Sequence, residues 1–266
     1  MEENLKMKTL ELQSKEYPEK MGQRCGDLKP NITEDTLFVE NGKAIGFYMK
    51  EPPIKLRMLL DVANAELNSP NVPKVKMDRG TRKMNAMRGI EVVQQYSATL
   101  GACVPRAHMK RDYGRTSQLH SVETARTFIK AMLMACREGE KLLKEIMPEQ
   151  YEFQKKAIEE NVPEKYRLTD LFSSSISNYN IAAAYHQDKG NLKGCVNFIF
   201  SKKENARGGH LHVPEYDVVI DNKDNSMLVY PAYKNMHGVT PIIPLAENGY
   251  RNSLVFYAID NLQKFF

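Results

Sequence analysis

From Ile181 to Ile259 the sequence reads IAAAYHQDKGNLKGCVNFIFSKKENARGGHLHVPEYDVVIDNKDNSMLVYPAYKNMHGVTPIIPLAENGYRNSLVFYAI. Short apolar or alternating runs (IAAAYH, CVNFIFS, HLHVP, DVVI, SMLVYP, NMHGV and SLVFYAI) are separated by Gly, Asn, Asp and Pro. A period of two buries one face of a strand, and those separators end it, so the runs predict about seven short strands and an all-β sandwich or barrel.

The chain before this region has a different texture. Residues 121–147, SVETARTFIKAMLMACREGEKLLKEIM, place Ala125, Phe128, Ile129, Met132, Leu133, Cys136, Leu143 and Met147 at steps of three and four. That spacing predicts a long amphipathic helix packed on a sheet, with Ser121 as its N-cap and Glu123 in the first turn. Met132, Met134 and Met147 read as core filler. A second helix is expected in IKLRMLLDVANAEL, between Pro52-Pro53 and Pro70. Asn41-Gly42, between LFVE and KAIGFYM, marks a hairpin. No repeat or low-complexity linker interrupts the 266 residues. The expected fold is therefore α+β in one folding unit: a helical and irregular part over 1–170 packed against a β core over 171–266.

Composition narrows the class. Hydrophobic residues at 42% and charged residues at 27% match a globular chain rather than a disordered or fibrous one. No apolar run approaches the roughly 20 residues that cross a bilayer, and the first twenty residues lack a secretory apolar core. An intracellular protein without membrane or protein partner, a monomer, is expected. Cys25, Cys103, Cys136 and Cys195 have no paired spacing, so they read as isolated thiols. The net charge of +5 is unevenly placed. Residues 74–115 carry ten basic side chains against Asp78, Glu91 and Asp112, or +7, which leaves −2 for the remainder.

Three positions in the β region combine into specific chemistry. His186-Gln187-Asp188 sets an imidazole and a carboxylate two apart, which at a strand end project to one side. His237 follows 49 residues after Asp188. Two histidines and one carboxylate on one face of an octahedron form the facial triad of non-haem Fe(II) oxygenases, which keeps three sites open. Fourteen residues after His237 come Arg251-Asn252-Ser253. An Arg with a hydroxyl two residues on, on the same strand face, holds a carboxylate by a bidentate pair and one further hydrogen bond.

HxD, a distant His and RxS at this interval resemble the Fe(II)/2-oxoglutarate dioxygenases with a double-stranded β-helix, a jelly roll. The stretches from Asn180 through His186-Gln187-Asp188-Lys189-Gly190-Asn191, Arg207-Gly208-Gly209-His210-Leu211-His212-Val213-Pro214-Glu215-Tyr216, and His237-Gly238-Val239-Thr240-Pro241 are most similar to the TET/JBP branch. That branch oxidises the 5-methyl group of pyrimidines in nucleic acid. The resemblance implies that His186, Asp188 and His237 are the catalytic iron ligands, that Arg251 and Ser253 anchor 2-oxoglutarate, and that O2 is the second cosubstrate. It also implies that Asn191 meets the Watson–Crick edge of a flipped base, with Asn180 in the same pocket or beside the cosubstrate.

His210 and His212 form an HxH that could be read as a rival metal pair. A strand of the barrel wall with alternate residues facing outward is the preferred reading. Tyr185, Tyr216, Tyr230 and Tyr233 read as core. The basic stretch reads as a footprint for phosphates, with Arg79, Arg82, Lys83, Arg106, Lys110 and Arg111 as DNA-contacting positions and Gly80 and Gly114 in loops near the backbone. The function expected is hydroxylation of the 5-methyl group of 5-methylcytosine or thymine in DNA, in the cytoplasm of a prokaryotic or phage-infected cell or in a nucleus. The alternatives are a 2-oxoglutarate-dependent hydroxylase of a protein side chain or small metabolite, and a β-barrel nucleic-acid-binding module with a decayed iron site.

Overall fold

A computed structural model of the chain describes residues 7–76, 95–104 and 115–262. Its strands are β1 (Lys8–Glu11), β2 (Thr36–Glu40), β3 (Lys43–Met49), β4 (Val75–Lys76), β5 (Tyr96–Cys103), β6 (Arg115–Thr116), β7 (Ser174–Tyr179), β8 (Asn197–Glu204), β9 (Ala206–Gly208), β10 (Leu211–Val213), β11 (Val218–Ile220), β12 (Met227–Tyr230), β13 (Gly238–Val239), β14 (Ile242–Pro244) and β15 (Tyr250–Tyr257). The helices longer than one turn are α1 (Ile54–Asn68), α2 (Arg126–Ile146) and α3 (Pro148–Asn161).

The main sheet runs β1-β2-β3-β12-β8-β15-β7-β5-β4, with β6 on β5. Two small sheets, β11-β10-β13 and β14-β9, complete the jelly roll. The amino-terminal part is thus not only helical and irregular: it adds strands to both sides of the core strands. The hairpin at Asn41-Gly42 forms as expected, since φ values of 51° and 74° suit Asn and Gly in a two-residue turn.

The two faces of the main sheet have different work, set by strand alternation. On β15, Leu254 and Phe256 point toward the helices, and the Asn252 amide donates to Asn64 Oδ1 and Asn68 Oδ1 of α1 at 2.8 and 3.0 Å. Phe198 and Phe200 of β8 and Phe47 and Met49 of β3 join that layer. Each such side chain removed from water contributes about 1.5–3 kcal/mol. Leu56, Leu60, Ala63 and Leu67 of α1 face the same core, as do Phe128, Met132, Cys136 and Leu143 of α2. At Gly139 a β-carbon would stand 2.9 Å from the Phe198 ring, so glycine lets α2 lie close on β8. The opposite face packs through Tyr48, Leu228 and Tyr230 on Leu211, Val213, Val218 and Ile220 of the small sheet.

Several local expectations are corrected. The long helix starts at Arg126, because two 3-10 turns take up residues 118–121 and 123–125; Ser121 does not cap it, and Ser117 Oγ instead accepts from Leu119 N. Met132 and Met147 are buried, whereas Met134 is 46% exposed and not core. The run IAAAYH is no strand; it contributes only an isolated bridge at His186. Helix α3 and strand β7 add to the expected elements. Among the described residues no helix is long and apolar enough to cross a membrane.

Candidate metal centre

His186 and His237 meet across that isolated bridge. His186 N donates to His237 O and His237 N to His186 O, both at 2.8 Å, which brings the ring centroids to 4.4 Å. Each ring is oriented through its other nitrogen: His186 Nδ1 lies 2.8 Å from Ala184 O, and His237 Nδ1 lies 3.1 Å from Asn235 O. A proton on Nδ1 satisfies the carbonyl and leaves Nε2 as the lone-pair donor, the usual tautomer of a metal-ligating histidine. Asp188 is fixed by Asp188 N donating to Ala232 O at 3.1 Å, and its Oδ1 stands 3.4 Å from His186 Nε2. One ligand atom from each of the three residues lies within 4.8 Å of the others.

Burial would raise the Asp188 carboxyl, but the neighbouring His186 and His237 imidazoles and the Asn197 amide outweigh it and hold it below its ordinary value. Burial pushes the His237 imidazole down. An ionised carboxylate beside two imidazoles is the donor set a divalent transition metal requires, so these residues fit Fe(II).

A cavity of about 470 Å³ opens on the triad, within the usual range for ligand sites. Ile176 and Asn178 of β7, Ile199 of β8, and Arg251, Ser253 and Val255 of β15 form one wall. Arg251 is 3% exposed, and among the described residues no carboxylate pairs with it; its Nε has no hydrogen-bond partner. Burial lowers its pKa to about 10, so it stays charged at neutral pH. A buried, unpaired guanidinium in the cavity wall fits an anionic ligand, such as the carboxylate of 2-oxoglutarate. Ser253, two residues on, lies on the same wall and accepts from Asn178 Nδ2 at 3.4 Å.

The remaining expected positions fall elsewhere. Asn180 adopts φ 55° and its Oδ1 accepts from Arg251 N at 2.8 Å, so it braces the start of β15. Asn191 is buried and gives its amide to Asn197 Oδ1 at 3.0 Å; it does not line the cavity. Its side-chain amide is thus turned to Asn197 within the protein. His210 and His212 do not make a metal pair: Nδ1 of the first lies 3.1 Å from Asp221, and Nδ1 of the second 2.6 Å from Tyr185 OH. Both are buried, so neither faces outward. Arg79, Arg82, Lys83, Arg106, Lys110 and Arg111 lie outside the described residues. Two contributors had no sequence signal. Asn197 donates to Asp188 Oδ2 at 3.4 Å, and Gly22 enters the cavity wall because Gly22 N donates to Tyr185 O at 2.8 Å.

Residues 109–260, more than half of the chain, match the Tet_JBP family, the oxygenase domain of the 2OGFeDO superfamily. The chain belongs to the Tet_JBP family. This Tet_JBP chain is an Fe(II)- and 2-oxoglutarate-dependent oxygenase that uses O2. No curated protein matches its sequence. Among solved structures it is similar to NgTET1 in complex with 5mC DNA, with TM-score 0.59 and 12% identity over 91% of this chain and 83% of that one. A full-length Neurospora crassa protein in complex with alpha-KG aligns with TM-score 0.41 and 12% identity, over 80% and 75%. An oxidoreductase of the 2OG-Fe(II) oxygenase family from Burkholderia pseudomallei gives 0.45 and 12%, over 82% and 88%.

Proposed function

We propose that this oxygenase hydroxylates the 5-methyl group of a pyrimidine, 5-methylcytosine or thymine, in DNA. His186, Asp188 and His237 would hold Fe(II), and Arg251 with Ser253 would hold 2-oxoglutarate. The observation that carries the site assignment is the buried Arg251, with no paired carboxylate among the described residues, opening into the same cavity as the three-residue donor set. The substrate class is supported by the Tet_JBP family and by likeness to a protein solved with 5mC DNA. The +7 carried by residues 74–115 supports the same reading, because clustered Lys and Arg attract phosphates.

Fe(II) with 2-oxoglutarate and O2 supplies the oxidant that replaces a methyl hydrogen with hydroxyl. The chain's own residues set the geometry for it. Arg251 fixes one end of the cosubstrate by charge and Ser253 by a hydroxyl hydrogen bond. Ile176, Ile199 and Val255 exclude water from the cavity wall, and the Nδ1 bonds to Ala184 O and Asn235 O keep the imidazoles from turning. A base must leave the duplex to reach such a recess, while its backbone is gripped outside. The DNA-contacting assignment of Arg79, Arg82, Lys83, Arg106, Lys110 and Arg111 belongs to this proposal.

The test is mass spectrometry of nucleosides after incubating the enzyme with Fe(II), ascorbate, 2-oxoglutarate and DNA containing both bases. One oxygen added to 5-methylcytosine or thymine is the expected result. Succinate formation without any altered nucleoside would overturn the DNA reading in favour of a protein or metabolite substrate.

A further inference from the structure

Asp188 has two carboxylate oxygens, and they meet different partners. Oδ1 stands 3.4 Å from His186 Nε2, while Oδ2 accepts from Asn197 Nδ2 at 3.4 Å. Asn197, at the start of β8, is 2% exposed and forms part of the cavity wall. Its other amide atom is also engaged, because Asn197 Oδ1 accepts from Asn191 Nδ2 at 3.0 Å. Asn191 in turn is anchored by its backbone: Asn191 N donates to Asp188 O at 3.0 Å, and residues 191 and 259 pair as an isolated bridge. The loop from Asp188 to Asn191 is thereby closed on itself through two side-chain amides.

We propose that Asn197 is a positioning residue that holds Asp188 as a one-oxygen ligand, with Asn191 as its brace. An ionised carboxylate only accepts hydrogen bonds, so it must face the Asn197 NH2 group, and this turns Asn197 Oδ1 toward a donor, the Asn191 NH2 group. The chain of bonds has one polarity throughout. A carboxylate free to swing would bring both oxygens to a cation and cover a second coordination position. The relay keeps Oδ2 occupied, so a facial triad retains the three open positions that two cosubstrates need. Outer partners of this kind govern both ligand orientation and affinity. The inference rests on His186, Asp188 and His237 being the metal ligands, and it replaces base reading by Asn191 with a structural task inside the site.

Titration of the chelator-stripped full-length enzyme with Co(II) tests it, following affinity and the visible absorption that reports coordination number. Asn197→Leu, close in volume and without polar atoms, is expected to weaken Co(II) binding about 10–100-fold and to change the absorption. Asn191→Leu is expected to weaken it less. The double variant should be no worse than Asn197→Leu, since both residues act through one contact. A merely structural Asn197 would lower the melting temperature and leave the spectrum of the folded fraction unchanged. Should Asn197→Leu fail to fold, Asn191→Leu, which leaves β8 intact, carries the test. Wild-type affinity and spectrum in either folded variant, or additive losses in the double variant, overturns the relay. A wild-type protein that binds no Co(II) overturns the triad itself and the relay with it.

Discussion

His186 and His237, 51 positions apart in sequence, exchange two backbone hydrogen bonds of 2.8 Å, and this single bridge sets both imidazoles side by side. Gln187 reinforces it by donating from Nε2 to Tyr233 O and Lys234 O at 2.7 and 2.8 Å. Replacing His186, Asp188 or His237 with Ala is expected to reduce succinate formation from 2-oxoglutarate to background. Gln187→Ala keeps every ligand but frees the loop that carries His237. Its expected effect is a loss of Fe(II) affinity of about tenfold, the lower end for outer-shell changes, measured as the iron concentration giving half-maximal turnover.

Arg251 is a buried charge with no paired carboxylate among the described residues, a condition that costs stability until an anion arrives. Binding of 2-oxoglutarate to the folded state alone adds about 2.7 kcal/mol at a hundredfold excess over its dissociation constant. The melting temperature of the wild type should therefore rise with 2-oxoglutarate. In Arg251→Gln that rise should vanish while the ligand-free protein melts no lower. Arg251→Lys should restore part of it, because a point charge replaces a planar fork. An equal rise in all three proteins would remove Arg251 from the cosubstrate site.

Gly209 makes room for that arginine. Its φ is +73°, and a β-carbon there would lie 3.0 Å from Arg251 Cγ and 3.1 Å from Cδ. Gly209→Ala both strains the backbone, by about 1–3 kcal/mol, and displaces the guanidinium stem. The expected kinetic result is a raised KM for 2-oxoglutarate with kcat reduced less, read from succinate formation at varied cosubstrate. A change confined to kcat would contradict it.

Much of this was legible because spacing encodes it. His186-Gln187-Asp188, His237 and Arg251-Asn252-Ser253 are read directly, and β15 shows its alternation openly: Arg251, Ser253 and Val255 face the cavity while Asn252, Leu254 and Phe256 face the helices. Strand β7, SSISNY, hides for the opposite reason. It lies between β5 and β15, where Gly101 lets the backbones come close, since a β-carbon there would meet the Ser173 backbone O at 2.4 Å, and Ser174 Oγ donates to Ala102 O at 2.7 Å. Close approach selects small polar residues, which carry no apolar period. Helix α3 buries only Gln154, Ala157 and Ile158, too narrow a stripe to announce itself, and Gln154 is engaged by Leu171 O and by the Val196 carbonyl and N–H. Asn197 and Asn191 belong to the same category as Gln154. A buried amide takes its meaning from partners distant in sequence, so the task of Asn191 is visible only once Asn197 and Asp188 are seen beside it.

His120 offers a pH test away from the metal centre. Its Nε2 accepts the Gly101 N–H at 2.9 Å, which only the neutral ring can do, and partial desolvation of this otherwise exposed residue holds its pKa below the ordinary value. In the unfolded chain it takes up a proton near pH ~6.5, whereas the folded protein takes it up at lower pH. Stability from this group is therefore complete above that ordinary value and falls as pH drops through the window down to the folded value. His120→Gln keeps a side-chain acceptor that does not titrate. Between pH 7 and pH 5 the variant should lose less denaturant stability than the wild type, with part of the slope remaining because burial also lowers His212 and His237. Parallel pH profiles for the two proteins would show that His120 contributes nothing to the slope.

The concentration of positive charge in residues 74–115 makes a quantitative demand on DNA binding. Each phosphate neutralised by Lys or Arg releases counterions, so the logarithm of affinity falls with the logarithm of salt by about 0.9 per contact. Neutralising Arg79, Arg82 and Lys83 together to Gln should make that slope shallower by about 2.7 if all three meet phosphates. The affinity loss should be equal for duplexes with and without a 5-methylated target, because backbone contacts carry no base identity. Fluorescence anisotropy of a labelled duplex across a salt series measures both quantities. An unchanged slope would assign these three residues to a solvated face and overturn the DNA reading.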